Sequence, residues 1–436
     1  MQRITALAAG LTLAFAGHAQ ETLDNKPATS AVTVLKAAHL FDGKSGALTS
    51  PGLVVVKDQR IVAVGKDATI PAGAQLIDLG DATLLPGFID AHTHIASDHN
   101  DDWAKGFYEG MLRFPVEQSF HAEHNARATL RAGVTTVREV GASDFVDVAL
   151  RNAINDGLAE GPHMLVAGHA IGSTGGHCDS PPAPPDRLKP AAELEGVCNG
   201  PESCRRAVRE QMKYGADLIK ICASGGVLSE SDPVDVPQLT LDELKAIMSE
   251  AHAWRRKVAA HSHGDLAAKL AVEAGIDSIE HGSFLTVPTL QLMKQKGVYL
   301  VPTRMTQLWV NKKAETYPPK IAGKARAAYN SHGEMMKNAL KIGVPLAFGT
   351  DAAVYPHGIN AEEFGDYVDL GMTPAAALMT SSQGSAKLLG IDADTGTLEA
   401  GKYADIVAVP GDVLKNIRAT EHPLMVMTRG KKVRLE

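Results

Sequence analysis

Residues 84–94 read Leu-Leu-Pro-Gly-Phe-Ile-Asp-Ala-His-Thr-His. The apolar run reads as a buried strand, and it ends in two histidines one residue apart. Residues i and i+2 of a strand project from the same face, so His92 and His94 can aim their imidazoles at a single point. Two neutral imidazoles converging at a strand end suit zinc or a similar borderline metal. In a chain with 17 histidines one such pair is weak by itself. The reading turns on whether further ligands follow at other strand ends.

Working outward, apolar runs recur at 134–139, 163–167, 216–221, 258–261, 278–280, 298–302 and 345–349, with 84–90 as the first. Helical periodicity lies between them, as in PESCRRAVREQMKYG, LTLDELKAIMSEAHAWRR and GDLAAKLAVEAG. The helix opening at Leu241 has Thr240 as N-cap and Glu243 in the reciprocal capping position. Eight strands alternating with helices predict an α/β fold, a (β/α)8 TIM barrel over 84–390, with its active site at the C-terminal strand ends. Short β-rich pieces with Gly/Asp turns fill 31–82 and return after 391, in GTLEAGKYADIVAV and MVMTRGKKVRL. They predict a small β-sandwich domain built from both termini, 20–83 and 391–436. Residues 20–30 read as an extended leader to it.

The 436 residues are enough for one large domain and a smaller one. Hydrophobic content of 44% and charged content of 21% are ordinary for a globular protein, and a net charge of -7 leaves no footprint for nucleic acid. Residues 1–19 read as a secretory signal peptide: a basic start, an apolar 4–16, and small residues around a cleavage point near Ala19. The apolar segment falls short of the ~20 residues that span a bilayer, so no membrane association is expected after cleavage. Export permits disulfides. Cys178, Cys198, Cys204 and Cys222 show no CxxC spacing, which argues against a zinc finger. Cys222 lies in an apolar run and reads as a buried free thiol; Cys198 can pair with Cys204 or with Cys178.

The strand ends in order carry His92 and His94, Arg138-Glu139, His169, Lys220, His261, His281, Thr303-Arg304 and Asp351. His92, His94, His261, His281 and Asp351 can all ligate metal. Lys220 would sit beside a dication, where a cation is repelled and the neutral amine favoured. A neutral amine can add carbon dioxide to become a carbamate, an anion whose two oxygens can bridge two metals.

At this point the chain resembles the amidohydrolase superfamily. The motifs are PGFIDAHTH, GVTTVRE, GADLIKICASGGV, VAAHSHG, GIDSIEHG, GTDAAVYPHG and GTLEAGKYADIVAV, in order from residue 31 onward. Within the superfamily it looks most like the branch of binuclear-metal Xaa-Pro and Xaa-Arg/Lys dipeptidases, near imidazolonepropionase-like and ochratoxin-degrading members. The resemblance implies two zinc ions, or similar divalent metals. His92, His94 and Asp351 would hold the more buried one, His261 and His281 the more exposed one, and carbamylated Lys220 would bridge them. Two metals sharing a water lower its pKa towards neutrality. Asp351 would take the water's proton and pass it to the leaving amine. The expected reaction is hydrolysis of an amide bond to a C-terminal amino acid, in a dipeptide or a small N-acyl amino acid such as ochratoxin A.

Around this centre, His263 is expected to stabilise the oxyanion or touch substrate, and His177, in the STGGH loop, to face substrate. Arg304 is expected to bind a substrate carboxylate bidentately. The loop 225–236, with Val227, is expected to cover the pocket; it has no tyrosine where branch members often carry one. Tyr355 and His357 would shape the loop after Asp351, Tyr355 against the substrate. Relatives assemble into large homo-oligomers, and an exported bacterial member would be periplasmic or secreted. The enzyme alternative is cyclic amide hydrolysis of the imidazolonepropionase kind, which usually runs on one metal without a bridging lysine, so Lys220 argues against it. A non-catalytic binding module is the other; such relatives typically lose ligands, and this chain keeps all six.

Overall fold

The computed structural model describes residues 32–179, 190–230 and 232–435. The expected signal segment and the leader to residue 30 lie outside them. In chain order the first strands are β1 (Val32–Ala37), β2 (His39–Phe41), β3 (Leu48–Thr49), β4 (Gly52–Lys57), β5 (Arg60–Val64), β6 (Gln75–Asp78) and β7 (Ala82–Pro86). The next seven are β8 (Phe88–Thr93), β9 (Val134–Glu139), β10 (His163–Val166), β11 (Ile219–Cys222), β12 (Val258–Ser262), β13 (Ser278–His281) and β14 (Tyr299–Val301). The last three are β15 (Ile406–Pro410), β16 (Met425–Thr428) and β17 (Lys431–Lys432).

The terminal strands form two sheets, ordered β5-β4-β1-β6 and β17-β16-β15-β7-β2-β3. β15 pairs antiparallel with β7, Val407 opposite Leu85, so distant parts of the chain share one sheet. Alternation decides which side chains are buried. Leu35 and Ala37 of β1, Val54 and Val56 of β4, Leu84 of β7, Ile406 and Ala408 of β15, and Met425 and Met427 of β16 form one buried cluster.

The expected single strand 84–90 is two strands. Pro86 has no N–H to donate, Gly87 instead donates to the Asp405 carbonyl at 2.8 Å, and a Cβ on Gly87 would collide with the Thr135 side chain. β7 therefore belongs to the terminal sheet and β8 to the central one.

β8, β9 and β10 form one parallel arc, and β11 to β14 another. The arcs meet through isolated backbone hydrogen bonds: Asp217 N–H to Val166 O at 2.7 Å and Ile171 N–H to Lys220 O at 2.8 Å. On the far side, residues 345–349 do not form the expected eighth strand; Leu346 makes only an isolated bridge to Leu300. Pro345 lacks a donor, and the Phe348 N–H is diverted to Thr380 O and the Ser385 hydroxyl. The segment still links the arcs, since Leu300 N–H bonds Pro345 O at 2.9 Å and Ala91 N–H bonds Phe348 O at 2.8 Å. Helices surround this mixed α/β core. One is Leu241–Ala253, whose Thr240–Glu243 capping box forms as expected.

His281, Thr303 and Asp351 all adopt positive φ, 67°, 48° and 61°. Non-glycine residues seldom do so, and such turns cluster at functional sites. Here they redirect the chain where three successive strand positions end.

Candidate metal centre

The register between β8 and β9 slips between Asp90 and Thr93. His92 within the slip and His94 just past it each bring Nε2 to 3.4 Å from Asp351 Oδ1. His92 Nδ1 lies 2.8 Å from Glu280 Oε2, and His94 Nδ1 3.2 Å from the Gly141 carbonyl. A carbonyl oxygen only accepts, so His94 Nδ1 carries the proton and its Nε2 presents a lone pair. Burial alone would raise the Glu280 carboxyl, but Arg138, together with the bond from His92, holds it down at about 2. Glu280 is therefore an anion, which fixes the proton of His92 on Nδ1 as well. His92 Nε2 is buried without a hydrogen-bond partner. His94 Nε2 and the unpartnered His92 Nε2 thus both face Asp351, a placement that suits a cation between them.

His281 places Nδ1 2.8 Å from the Thr303 hydroxyl, and His261 Nε2 lies 3.2 Å from Gly225 O. Burial, then neighbouring imidazoles, pushes both rings well below the ordinary histidine range, so both are neutral. Burial likewise lowers His94 and His263 to about 3. His261, His263 and His281 bring one ligand atom each within 4.8 Å of one another, as do His92, His281 and Asp351. The structure thus adds His263 to the pair read from sequence, and His281 belongs to both groups. Burial alone would push Asp351 up, but His92, with His94 and Lys220, holds its carboxyl below the usual range.

Lys220 is buried, and burial lowers its amine to about 8, against the opposing pull of Glu280 and Asp351. It lines a cavity of about 360 Å³ together with His94, His261, His263, His281 and Asp351. His177, Val227, Leu228, Gln307 and Val354 complete much of its wall. His177 and Val227 are therefore where substrate-facing residues were expected.

Arg304 and Tyr355 are not among the cavity-lining residues. Arg304 was expected to bind a substrate carboxylate, but Thr303 turns the backbone and a helix begins at Arg304. The Arg304 N–H donates to Glu363 at 2.6 Å, and its guanidinium sits 5.1 Å over the Tyr329 ring. Helical rotation brings Thr306 and Gln307 to the cavity instead, and Gln307 Oε1 is buried there without a partner. Tyr355 is fully buried in a cluster with Met305 and Ala352, because the chain turns at Ala353, φ 118°. His357 reaches Ser97 O at 2.9 Å and does hold that loop.

Cys222 is not a free thiol. It is bonded to Cys178, and Cys198 to Cys204, with Cα separations of 5.8 and 4.9 Å. Sequence reasoning also missed Glu280 and Gln307. Strand alternation places Glu280 on the face opposite His281, and only the positive φ of His281 lets both serve the same site. Arg138-Glu139 prove to be scaffold. Arg138 donates to Glu280 at 2.8 Å, while Glu139 accepts the Ile95 N–H at 2.7 Å.

An amidohydrolase family model matches residues 83–433, and the chain belongs to the amidohydrolase family. It is 32% identical to an ochratoxinase of Aspergillus niger over 415 residues, 91% of this chain and 84% of that protein. The crystal structure of a Xaa-Pro dipeptidase with bound methionine superposes with a TM-score of 0.87 at 35% identity, covering 92% of this chain and 99% of that one. A prolidase complexed with N-methylphosphonate-L-proline gives 0.84 at 29% identity, over 92% and 99%. These neighbours imply a TIM barrel with a β domain, and they support hydrolase activity on amide bonds.

Proposed function

We propose that this chain is a metal-dependent hydrolase that cuts the amide bond to a C-terminal amino acid in a dipeptide or an N-acyl amino acid. The observation that carries the reading is the set of histidines that brings its ligand atoms together with Asp351, with the buried Nε2 of His92 left without a hydrogen-bond partner. The ochratoxinase and dipeptidase relatives support the substrate class. The two arcs are read as a closed (β/α)8 barrel over 84–390, flanked by a β-sandwich from 20–83 and 391–436.

His92, His94 and Asp351 would hold one divalent ion, and His261 and His281 a second. Lys220 would lie between them as a carbamate, its neutral amine adding carbon dioxide with release of one proton. When bound, two zinc ions would polarise the scissile carbonyl and acidify water. Asp351 accepts a proton and hands it to the departing amine nitrogen, which amide cleavage needs because an amide anion is a poor leaving group. His263, with Nδ1 2.9 Å from the Ser283 hydroxyl, would donate from Nε2 to substrate oxygen when that hydroxyl donates to Nδ1. Gln307, rather than Arg304, supplies the polar contact from its helix. Val227, Leu228 and Val354 give the cavity an apolar wall for a side chain.

The cyclic-amide alternative, which usually runs on one metal, has no use for a lysine that lines the cavity. Export is part of the proposal; the pairing of all four cysteines fits an oxidising compartment. So is self-association: Met111, Leu112, Phe114, Val116 and Phe120 are exposed together, a patch of the kind oligomers bury.

The test is hydrolysis of a panel of Xaa-Pro, Xaa-Arg, Xaa-Phe and N-acyl amino acids by zinc-loaded protein, read as free amino acid released. Release from at least one member, abolished by chelation, is expected. No release from any member would overturn the proposal.

A further inference from the structure

The disulfide between Cys178 and Cys222 lines the same cavity as Lys220 and the histidines. Cys178 directly follows His177, and Cys222 lies two residues beyond Lys220 at the end of β11, opposite His261 in the β11–β12 register. The bridge thus ties a rim loop to the strand end that supplies the central lysine.

The loop needs such a tie. Residues 173–176 are Ser-Thr-Gly-Gly, with Gly175 at φ 76°, and glycine-rich chain loses much entropy when ordered. Yet His177 is held closely. Its N–H donates to Gln238 Oε1 at 2.8 Å, its Nδ1 lies 3.1 Å from the Ser229 hydroxyl, and its ring packs on His261 with centroids 4.3 Å apart. A Cβ on Gly226 would collide with the imidazole, so the opposing loop is shaped around it. The second disulfide differs. Cys198 and Cys204 are both fully buried and neither lines the cavity, whereas Cys178 is only partly buried and faces it.

We propose that the Cys178–Cys222 disulfide is a positioning element for His177, holding that imidazole against His261 at the substrate cavity. The proposal rests on the amide-hydrolase reading only for its activity measurement. His177 can be displaced without removing any proposed metal ligand, so opening the bridge weakens substrate use and leaves the metal in place.

The experiment treats the full-length, zinc-loaded protein with a water-soluble phosphine. The phosphine takes up the oxygen of one water to become its oxide, and the two sulfurs leave as the Cys178 and Cys222 thiols. Mass spectrometry confirms which bridge has opened. Three readouts follow: kcat/KM on the best amide of the panel, zinc content, and hydrogen exchange of residues 171–179. Opening the bridge is expected to lower kcat/KM about tenfold or more, since misplacing a substrate-positioning group costs that much. Zinc content should stay unchanged, and exchange across 171–179 should quicken. Cys178→Ser should reproduce this without reductant. In a His177→Gln background, opening the bridge should add little to the loss already present, because two changes acting through one side chain are not additive. Unchanged exchange after confirmed opening, or an undiminished further loss in the His177→Gln background, would overturn the proposal. Should the oxidised protein cleave no amide at all, the functional reading fails separately, and hydrogen exchange still decides the positioning.

Discussion

Asp351 and Glu280 are both buried carboxylates beside the imidazole of His92, and their surroundings give them different work. Glu280 accepts from Arg138, from Ser278 at 2.6 Å and from His92, so it serves as a fixed charge that orients a ring. Asp351 faces Nε2 lone pairs and the cavity. Asp351→Asn is therefore expected to lower kcat by on the order of 10²- to 10⁴-fold, the range of proton-transfer catalysis, with much of the zinc retained on metal analysis. Glu280→Gln should instead weaken zinc binding by about 10- to 100-fold in chelator competition, with activity recovering when zinc is in excess. The six proposed ligands were legible because each lies in or just past an apolar run, five of them on or directly after parallel strands and Asp351 after the segment 345–349. Glu280 was hidden by strand alternation, which the positive φ of His281 overrides. Arg304 was misplaced because nothing in Val-Pro-Thr-Arg announces that Thr303 will turn left-handed and start a helix.

Strand ends collect the chemistry, but hydroxyls hold part of the ring that carries them. Ser381 accepts the Ile89 N–H at 2.8 Å and Ser385 the Phe348 N–H at 3.1 Å, standing in for ladder partners where 345–349 fails to pair as a strand. Ser381→Ala leaves the buried Ile89 N–H unpaired and should cost about 1–3 kcal/mol in denaturant unfolding. Thr240→Ala removes one half of the capping box from Leu241–Ala253 and should cost about 0.5–2 kcal/mol in denaturant unfolding. The capping box was plain in sequence, since Thr-x-x-Glu before an apolar run has a local cause. The break at Gly87 and the irregular eighth segment were not, because both depend on partners outside their own stretch of chain, Asp405 for Gly87 and Thr380 for Phe348.

Over the whole molecule, β15 to β17 complete a sheet already holding β2, β3 and β7, and β7 runs straight into β8 and His92. Removing the last thirty or so residues would strip β7 of β15 and should destabilise the metal centre as well as the β domain; loss of zinc and of cooperative unfolding together would show it. The order of strands and helices was readable because apolar runs and helical periodicity alternate so regularly. The cysteine pairing was not, since it depends on how a loop folds back across β11. Zinc bound per chain, measured on loaded and desalted protein, tests the central claim most directly. The account predicts a value close to two for the wild type and a clear fall when Lys220 is replaced by methionine. A wild-type protein that keeps no zinc, or a variant that holds as much as the parent, would contradict it.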